Sequence, residues 1–571
     1  MHAYRARNCQ FSIRRQRHRR PVQETANSRS AGSDTGDWQQ NARIPCKTLP
    51  IPRGGGDRVT LNAIDLEVAR HRFTAAADEM GGVLRRTGYS PNIKERADFS
   101  TAMFVPDGEL LAQAEHIPVH LGSMPASVQA VIDTLGEVLE LDAQYAVNDP
   151  YHGGTHLNDL TIVRPVAYGG DLVGWVANRA HHSDVGGDAP GSMPAHATRL
   201  DQEGHIVSPM LAARGGQWVP EFLDPFLEAT RTPDERLGDL SAQLGANEVG
   251  ATRLVELCEA YGPAGYAAIC AGLLDYGERR MRAAIGELPD GDYSFEDYVE
   301  GPDRLHTIAV RVTIDGSDLH ADFAGSAPQA EANFNSVEAV AVSCLYYAVR
   351  VATDPSIPAN GGCYRSITMS SPAGSIVSAE PPAAVAAGNV ETSQRIADAL
   401  LGALAQAIPT AVPAASQGTM NNVLAGSDAF AYYETVGGGQ GGRCGRAGQS
   451  GIHTGMTNTK NTPIESLVQH YPLRITAYGL RSGSGGEGRF GGGEGIVREM
   501  EFLEDATVTL MGERRRTQPW GLQGGGPGAV GEDWLIRRSG TRELLPGKVT
   551  LEVQAGDRLR VLTPGGGAWG A

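Results

Sequence analysis

Apolar residues recur every three to four positions in several long stretches of the chain, the spacing of helices that bury one face. The first stretch begins near residue 61, and its inward series is Leu66, Ala69, Phe73, Ala76, Met80 and Leu84. Further helices are predicted after Ser123 and over 232–287, 336–352 and 390–407. Asn389 precedes the last of these and is expected to cap it, because an asparagine side chain can accept from free backbone N–H groups at a helix start.

Shorter apolar runs between turn-forming residues indicate strands. Leu160–Val163 and Trp175–Ala177 are two such runs, with Gly, Asn, His and Asp in the loops at their ends. Farther along, Asp315-Gly316 separates two alternating runs, which is a strong signal for a hairpin. Together with the helical stretches, these runs predict a mixed, multilayer α+β fold.

Glycine is concentrated after residue 436, where the last 135 residues hold 32 of the 73 glycines. Strand-like runs such as Ala506–Leu510 lie between the glycines. We therefore interpret 436–571 as a β-dominated region with tight turns rather than as a disordered segment. This region is expected to belong to one domain that spans 58–571.

The start of the chain differs from the rest in charge. Residues 1–56 carry 11 Lys and Arg against 3 Asp and Glu, a net charge of +8. They lack the apolar core of a secretory signal. A disordered basic arm, an organelle transit peptide and an extension translated from a mis-assigned start are all compatible with this composition. We predict a disordered basic extension over 1–57, outside the domain.

The remainder of the chain is acidic, since the net charge of the whole sequence is −17. An acidic body argues against nucleic acid as a partner, and the sequence has no run of 18 apolar residues that would predict a membrane span. Its seven cysteines are sparse and form no CxxC pair. That pattern favours reduced thiols in a cytoplasmic protein over a disulfide framework.

Histidine is concentrated in one part of the chain, with eight of the fifteen between residues 116 and 205. His156 and Asp159 are three residues apart, and His181 follows His156 by 25 residues across a predicted strand, turn and strand. Adjacent strands would bring the three to one edge, and imidazole and carboxylate are ligands of Zn²⁺, Mn²⁺ and Fe²⁺. A polar network without metal has the same spacing, so both interpretations stay open.

Other histidines near this edge are weaker ligand candidates. His181 and His182 cannot both face one site from a strand, because successive side chains point to opposite faces. At most one of the pair is therefore a ligand. His116 and His120 are the remaining candidates for the same edge.

Two polar loops have a composition suited to holding a small polar ligand. AGNVETSQR contains Asn389 and Glu391, and IHTGMTNTKNTPIE contains His453 and Asn458. Such loops bind ligands through hydrogen bonds or form a buried turn network. The sequence does not separate the two.

Nucleotide-binding motifs are absent from the sequence. Gly547-Lys548 is followed by Val549, which does not fit a P-loop, and the GxGxxG match at 483–488 is followed by RFGGGEG rather than by a helix. A turn role for these glycines is the better interpretation. ATP binding on this chain by a known local motif is not supported.

Many of these segments form long strings in a fixed order. They are SPNIKERADFS, AQAEHIPVHLGSMP, NDPYHGGTHLNDL, HHSDVGG, AAGNVETSQRIAD, HTGMTNTKNTP, YPLR, SGGEGRFGGGEGIVRE, PWGLQGGGPG, LPGKV and TPGGGAWG. In these strings the sequence resembles the hydantoinase B/5-oxoprolinase family, which includes N-methylhydantoinase B subunits and is related to the acetone carboxylase alpha subunit. The resemblance runs from about residue 60 to the C-terminus.

The resemblance implies a subunit that opens lactam or hydantoin rings with ATP hydrolysis. It implies that ATP binds to a partner of the hydantoinase A type, in a hetero-oligomer, which agrees with the missing nucleotide motif. It also implies a divalent metal (Mn, Zn or Fe) on His156, Asp159 and His181. The family's HTHMTNT string reads HTGMTNT here, with Gly455 at the second histidine, so substrate specificity is expected to differ.

On this basis we predict an ATP-dependent cyclic amide hydrolase subunit acting on 5-oxoproline- or hydantoin-type rings. His182 or Asp184 would serve as general base. Asn389, Glu391, His453 and Asn458 would contact substrate. A ketone carboxylase large subunit and a non-catalytic assembly subunit are the alternatives.

Overall fold

A computed structural model describes residues 62–114 and 117–571 of the chain. The predicted extension 1–57 and the ligand candidate His116 lie outside the described residues. Within them the helices are α1 (Ala63–Thr87), α2 (Pro91–Lys94), α3 (His120–Leu135), α4 (Pro220–Ala229), α5 (Pro233–Ile285), α6 (Glu338–Ala352), α7 (Gly361–Tyr364), α8 (Ser393–Ala407) and α9 (Ile464–His470).

The predicted first helix is confirmed as α1, which begins with a capping box between Asn62 and Asp65. Its inward series from Ala69 to Leu84 is buried. The helical stretch predicted over 232–287 is confirmed as α5, which is interrupted at Gly262, where φ is 66°. Pro263 follows and cannot donate a backbone hydrogen bond, so the helix bends at this point.

The first sheet consists of β1 (Phe99–Phe104), β2 (Leu110–Ala114), β3 (Ala143–Val147), β4 (Asp159–Tyr168), β5 (Asp171–His181), β6 (Met210–Arg214) and β7 (Gln217–Trp218). They are ordered β2-β1-β5-β4-β3-β6-β7, and neighbouring strands are antiparallel. Alternate side chains face opposite layers: Phe99 and Val176 pack with α1 and α5, whereas Phe104 and Trp175 pack with α3.

A second sheet contains β8 (Gly291–Glu300), β9 (Leu305–Asp315), β10 (Asp318–Asp322) and β11 (Ile367–Ser370), in the order β11-β10-β9-β8. The predicted hairpin is confirmed, since Asp315 pairs with Asp318 and Gly316 between them has a φ of 59°. α8 packs on β8 and β9, and α6 packs between α8 and α3. This helical layer joins the two sheets in one large core.

The glycine-rich region contributes two further sheets. One consists of β12 (Asn422–Gly426), β13 (Ala431–Thr435), β16 (Ala506–Met511) and β19 (Lys548–Val553). The other consists of β14 (Leu473–Arg481), β15 (Gly495–Phe502), β17 (Glu532–Ile536), β18 (Arg542–Leu545) and β20 (Arg558–Leu562). Both sheets contribute to a single apolar core, so the prediction of ordered β-structure here is confirmed.

Two local predictions are wrong. The second helix begins at His120 rather than after Ser123. Asn389 does not cap α8, because Gly388–Thr392 forms a π-helical turn that runs directly into the helix without a side-chain cap. The Asn389 side chain instead approaches His156. The fold class is the predicted mixed α+β, and no helix in the described ranges is long and apolar enough to cross a membrane.

Candidate metal centre and substrate chamber

The β4–β5 hairpin places the candidate ligands. Asp159 and His181 are cross-strand partners at the end of the hairpin opposite its turn. His156 lies in the preceding loop, which Asn148 holds by donating from Nδ2 to the Leu157 carbonyl at 2.8 Å. Asn158 donates to the His182 carbonyl at 2.9 Å. The predicted strand, turn and strand therefore bring the three side chains together, all of them buried.

The donor atoms form a nearly equilateral triangle. His156 Nε2 lies 3.2 Å from His181 Nδ1, and each nitrogen lies 3.3 Å from Asp159 Oδ1. Ligands about 2.0–2.1 Å from a tetrahedral Zn²⁺ are separated by roughly 3.3–3.4 Å, by simple geometry from those bond lengths. The three atoms thus have the separation expected of donors to one ion.

Neighbouring groups fix the orientation of this triangle. Thr155 Oγ1 donates to Asp159 Oδ2 at 2.7 Å, and His120 Nε2 lies 3.3 Å from the same oxygen. The other His120 nitrogen lies 2.8 Å from Ser100 Oγ. The His181 ring stacks on Tyr433 with ring centroids 4.3 Å apart. Such supporting contacts hold metal ligands in one rotamer.

The charges at the cluster favour a cation. Burial opposes ionisation of Asp159, but His156, His120 and His181 outweigh it and hold the pKa of this carboxyl well below its usual range. Burial lowers the pKa of His120 and of His181, which keeps these imidazoles neutral. Neutral imidazoles and an ionised carboxylate are the protonation states that bind a divalent metal.

The two nitrogens of the His181 ring differ in their surroundings. Nδ1 faces the triangle, whereas Nε2 is buried and has no hydrogen-bond partner among the described residues. A metal site here therefore depends on the three donor atoms that face each other. The residues present therefore fit a divalent metal held by His156, Asp159 and His181.

A cavity of about 20 Å³ adjoins the cluster. That volume accommodates an ion or one water, which needs roughly 10–15 Å³, but not a ring. Asp98, Thr435, Thr457 and Thr459 supply polar groups to its wall, as does Asn389. Asn389 Nδ2 lies 3.4 Å from His156 Nε2, so this predicted substrate contact is placed beside the cluster.

A larger chamber lies next to it, with a volume of about 420 Å³. Small-molecule sites commonly enclose roughly 300–1,000 Å³. Thr457 lines both cavities. The predicted substrate contacts His453 and Asn458 line the chamber. Burial lowers the pKa of His453 to about 4, so its ring is neutral at physiological pH.

Gly455 is part of the chamber wall, at the position where the sequence departs from the family string. Its φ is 66°, and a Cβ there would lie 2.0 Å from Gln394 Oε1. Gln394 holds the loop by donating to the Thr454 carbonyl at 3.0 Å and accepting from the Met456 N–H at 3.3 Å. A side chain at 455 would therefore require the Gln394 amide to shift, and it would stand on a left-handed backbone that favours glycine.

The predicted bases are not brought into either cavity. His182 faces α5, where its Nε2 lies 3.0 Å from Gln243 Oε1, and burial followed by Arg236 lowers its pKa to about 4. Asp184 pairs with Arg231 at 3.0 Å and accepts from backbone N–H groups of the following turn. These contacts organise the loop, and a base role for either residue stays a prediction.

Glu391 also lies away from both cavities. Its Oε1 accepts from the Met420 N–H at 3.2 Å and from Asn422 Nδ2 at 3.3 Å, and its Oε2 has no partner in the described residues. Burial raises the pKa of Glu391 to about 8. A substrate contact for Glu391 stays a prediction that no contact in this conformation supports.

Sequence reasoning missed three groups of the small cavity, namely Asp98, Tyr433 and Thr435, whereas Thr457 and Thr459 belong to the polar loop that it had expected to hold a ligand. Asp98 directly precedes β1, and Tyr433 and Thr435 lie on β13, which only tertiary packing brings to the hairpin. A signal existed for Asp98, which stands in one of the strings that carried the family resemblance. His120 was considered a weak ligand candidate, and it contacts the carboxylate rather than joining the triangle.

Comparison with known proteins identifies relatives of the chain. Residues 62–571 match the family model described as hydantoinase B/oxoprolinase. An uncharacterized protein of Methanocaldococcus jannaschii is 42% identical, with 90% of this chain and 91% of that protein aligned. A putative D-/L-hydantoinase subunit of the B type, from a Pseudomonas species, is 31% identical over 90% of this chain and 91% of that protein.

5-oxoprolinase 1 of Arabidopsis thaliana is 38% identical over 89% of this chain, but the match covers only 42% of that protein. The chain thus spans less than half the length of this relative. Among solved structures, an ATP-dependent caprolactamase from Pseudomonas jessenii superposes with a TM-score of 0.85, at 29% identity, over 90% of this chain and 91% of that chain.

A nucleotide-free acetone carboxylase superposes with a TM-score of 0.81, over 88% of this chain and 75% of that chain. At 18% sequence identity, this likeness concerns the fold alone. The family model matches nearly all of the described residues, and the chain belongs to the hydantoinase B/oxoprolinase family.

Proposed function

We propose that this chain is the ring-opening subunit of an ATP-dependent cyclic amide hydrolase that acts on 5-oxoproline- or hydantoin-type rings. The observation that carries the proposal is the buried triangle of His156, Asp159 and His181 beside a chamber of small-molecule size. The caprolactamase and 5-oxoprolinase relatives are named for cyclic amide chemistry, which supports the reaction class.

ATP is assigned to a hydantoinase A-type partner in a hetero-oligomer. The Pseudomonas relative, which matches along nearly its whole length, is named as one of the subunits of a hydantoinase, and that name implies a second subunit. The longer 5-oxoprolinases have more than half of their length outside the match, enough for an ATP-binding part in the same polypeptide. The chain would act in the cytoplasm, where ATP is available.

Each group of the site has an assigned task. A divalent ion (Mn, Zn or Fe) bound at the triangle would supply Lewis acidity. His156, Asp159 and His181 hold it, and His120 orients the carboxylate of Asp159. The chamber would bind the ring, with His453 and Asn458 offering polar contacts. Asn389 presents its amide beside His156.

The metal content of the purified chain tests the proposal. Wild type should hold about one equivalent of Mn, Zn or Fe, whereas His156→Ala and His181→Ala should lose it and stay folded by circular dichroism. His152→Ala is the matched control, because His152 is exposed, lies in the same loop and pairs with Asp149 instead. A wild-type chain that stays metal-free after reconstitution would remove the basis of the proposal.

Turnover then separates the reaction classes. The chain, combined with its partner, ATP and cyclic amides, should release ring-opened product. Its fold likeness to acetone carboxylase makes acetone with bicarbonate the alternative substrate pair to assay in parallel. Full turnover by a metal-free preparation would instead assign the chain an assembly role.

A further inference from the structure

Two arginines at the rim of the chamber stand in an arrangement that the proposed function does not use. Arg443 and Arg446 form a two-residue hairpin, in which each backbone N–H donates to the carbonyl of the other, at 2.9 and 3.0 Å. Gly445 between them has a φ of 83°, which such tight turns require. Both side chains line the chamber and are exposed.

The hairpin holds the two guanidinium groups on one side. Residues paired in this way have Cα atoms about 5.5 Å apart, and their side chains share one face. Like charges placed opposite each other destabilise a pair of strands. Across 62–114 and 117–571, neither guanidinium has an ion-pair partner within reach, in a protein whose net charge is −17.

Backbone hydrogen bonds also hold the Arg443–Arg446 hairpin in place, so its backbone does not move the two arginines apart. The Ala414 N–H donates to the Gly442 carbonyl, and the Gly442 N–H donates to the Gly567 carbonyl, both at 2.8 Å. The Gly448 N–H donates to the Gly491 carbonyl at 2.9 Å. Glycine is needed at 441, where a Cβ would lie 1.8 Å from the Ala414 carbonyl oxygen. The paired positive charges are therefore built into the chamber mouth.

The carboxylate that lines the chamber does not neutralise them. Asp398 is already held by Arg395 at 3.1 Å and by Arg514 at 2.8 Å. The remaining polar lining consists of neutral groups, among them Gln440, Gln449 and Asn458. A ligand that fills the chamber would therefore meet the two arginines at the mouth of the chamber and neutral hydrogen-bonding groups inside it.

We propose that Arg443 and Arg446 form an oxyanion-binding site at the mouth of the chamber, which takes the carboxylate or phosphoryl group of a small ligand bound inside. Paired guanidinium groups match the planar oxygens of either anion. The identification of this ligand as the substrate rests on the proposed function. A cyclic amide that bears a carboxylate, or one that is phosphorylated by ATP, carries a group that the two arginines could bind. Neutral rings gain nothing from the site.

Titration calorimetry on the full-length chain tests the site with three probes. Inorganic phosphate reports a phosphoryl site, 5-oxoproline reports a carboxylated ring, and 2-pyrrolidinone is the same ring without the carboxylate. Arg443→Gln and Arg446→Gln should each weaken oxyanion binding about tenfold, the scale of one charge-assisted hydrogen bond. The double variant should abolish binding, and 2-pyrrolidinone binding should be unchanged throughout.

Arg542→Gln is the control, because Arg542 is an exposed arginine on β18, far along the chain from the chamber loops. Arginine-sensitive binding of phosphate alone would identify a phosphoryl site, and arginine-sensitive binding of 5-oxoproline alone a carboxylate site. Wild-type affinity in the double variant would overturn the proposal, as would a wild-type chain that binds neither oxyanion at millimolar concentration.

Metal content measured on the same samples keeps the two proposals separate. The arginine variants should retain the metal of the wild type, since neither residue contributes to the triangle. A metal-free wild type that still binds an oxyanion through the arginines would overturn the proposed function and leave this site standing. If the wild type holds a metal and both arginine variants bind oxyanions with wild-type affinity, the oxyanion site is overturned and the proposed function stands.

Discussion

His120 and Asp159 meet at 3.3 Å in the buried interior, with His120 Nε2 directed at the carboxylate oxygen that is not part of the ligand triangle. The contact joins the start of α3 to the end of the β4–β5 hairpin. The two oxygens of the carboxylate therefore have different partners. Oδ1 faces His156 and His181, whereas Oδ2 is held by His120 and Thr155. The geometry of the candidate metal centre therefore depends on a residue outside the hairpin.

Replacing His120 should weaken metal binding without removing a ligand. His120→Asn shortens the side chain, so it no longer reaches Asp159, and the carboxylate loses an orienting partner. Loss of such a supporting contact typically lowers metal affinity about 10–100-fold. Competition with a chelator of known affinity measures the change. His152→Ala should leave the affinity at its wild-type value, and a His120→Asn chain with unchanged affinity would contradict the orienting role.

Glu391 is expected to make stability depend on pH. Burial raises its folded pKa to about 8 from an ordinary value of 4.5, so between these pH values the native state holds a proton that the unfolded state has released. The free energy of unfolding should then fall as pH rises, by at most about 1.4 kcal/mol per pH unit. Glu391→Gln removes the titrating group while preserving an oxygen that can accept from Met420 and Asn422.

Urea unfolding at pH 5, 6.5 and 8 measures this dependence. The stability of Glu391→Gln relative to wild type should increase steadily across the series. If the difference is constant with pH, Glu391 is ionised in the native state, and its placement as a neutral, buried acceptor is wrong.

The hairpin and the convergence of its three candidate ligands could be predicted from the sequence because their signals are local. Alternation and the 25-residue separation of His156 from His181 suffice to place both at one edge. The base assignment to His182 and Asp184 relied on nearness in sequence, but the alternation of strand side chains directs His182 to α5. A π-helical turn directs Glu391 away from the cavities, and a π turn leaves no periodic signal that sequence analysis can detect.

Gly455→Ala should lower the stability of the chain. At a φ of 66° any side chain is strained, typically by about 1–3 kcal/mol, and the added Cβ would also displace the Gln394 amide from its contacts with the loop. Gly483→Ala is a matched control, because Gly483 has a φ of 77° and no atom within 4 Å of an added Cβ. Urea unfolding should show a larger loss of stability for Gly455→Ala than for Gly483→Ala. Equal losses would mean that the Gln394 contact does not contribute to stability.

The buried pair of Arg498 and Glu434 should anchor the far end of the loop that lines both cavities. Arg498 Nε lies 2.7 Å from Glu434 Oε2, and the other carboxylate oxygen accepts from the Thr462 N–H at 2.9 Å. Arg498→Met would leave a buried carboxylate without its cation, which typically costs about 3–5 kcal/mol. Adding Glu434→Gln should recover part of that loss, because the unpaired charge disappears while an acceptor for Thr462 remains. Urea unfolding of the two variants provides the measurement, and a double variant no more stable than Arg498→Met would show that packing, rather than charge pairing, makes Arg498 important.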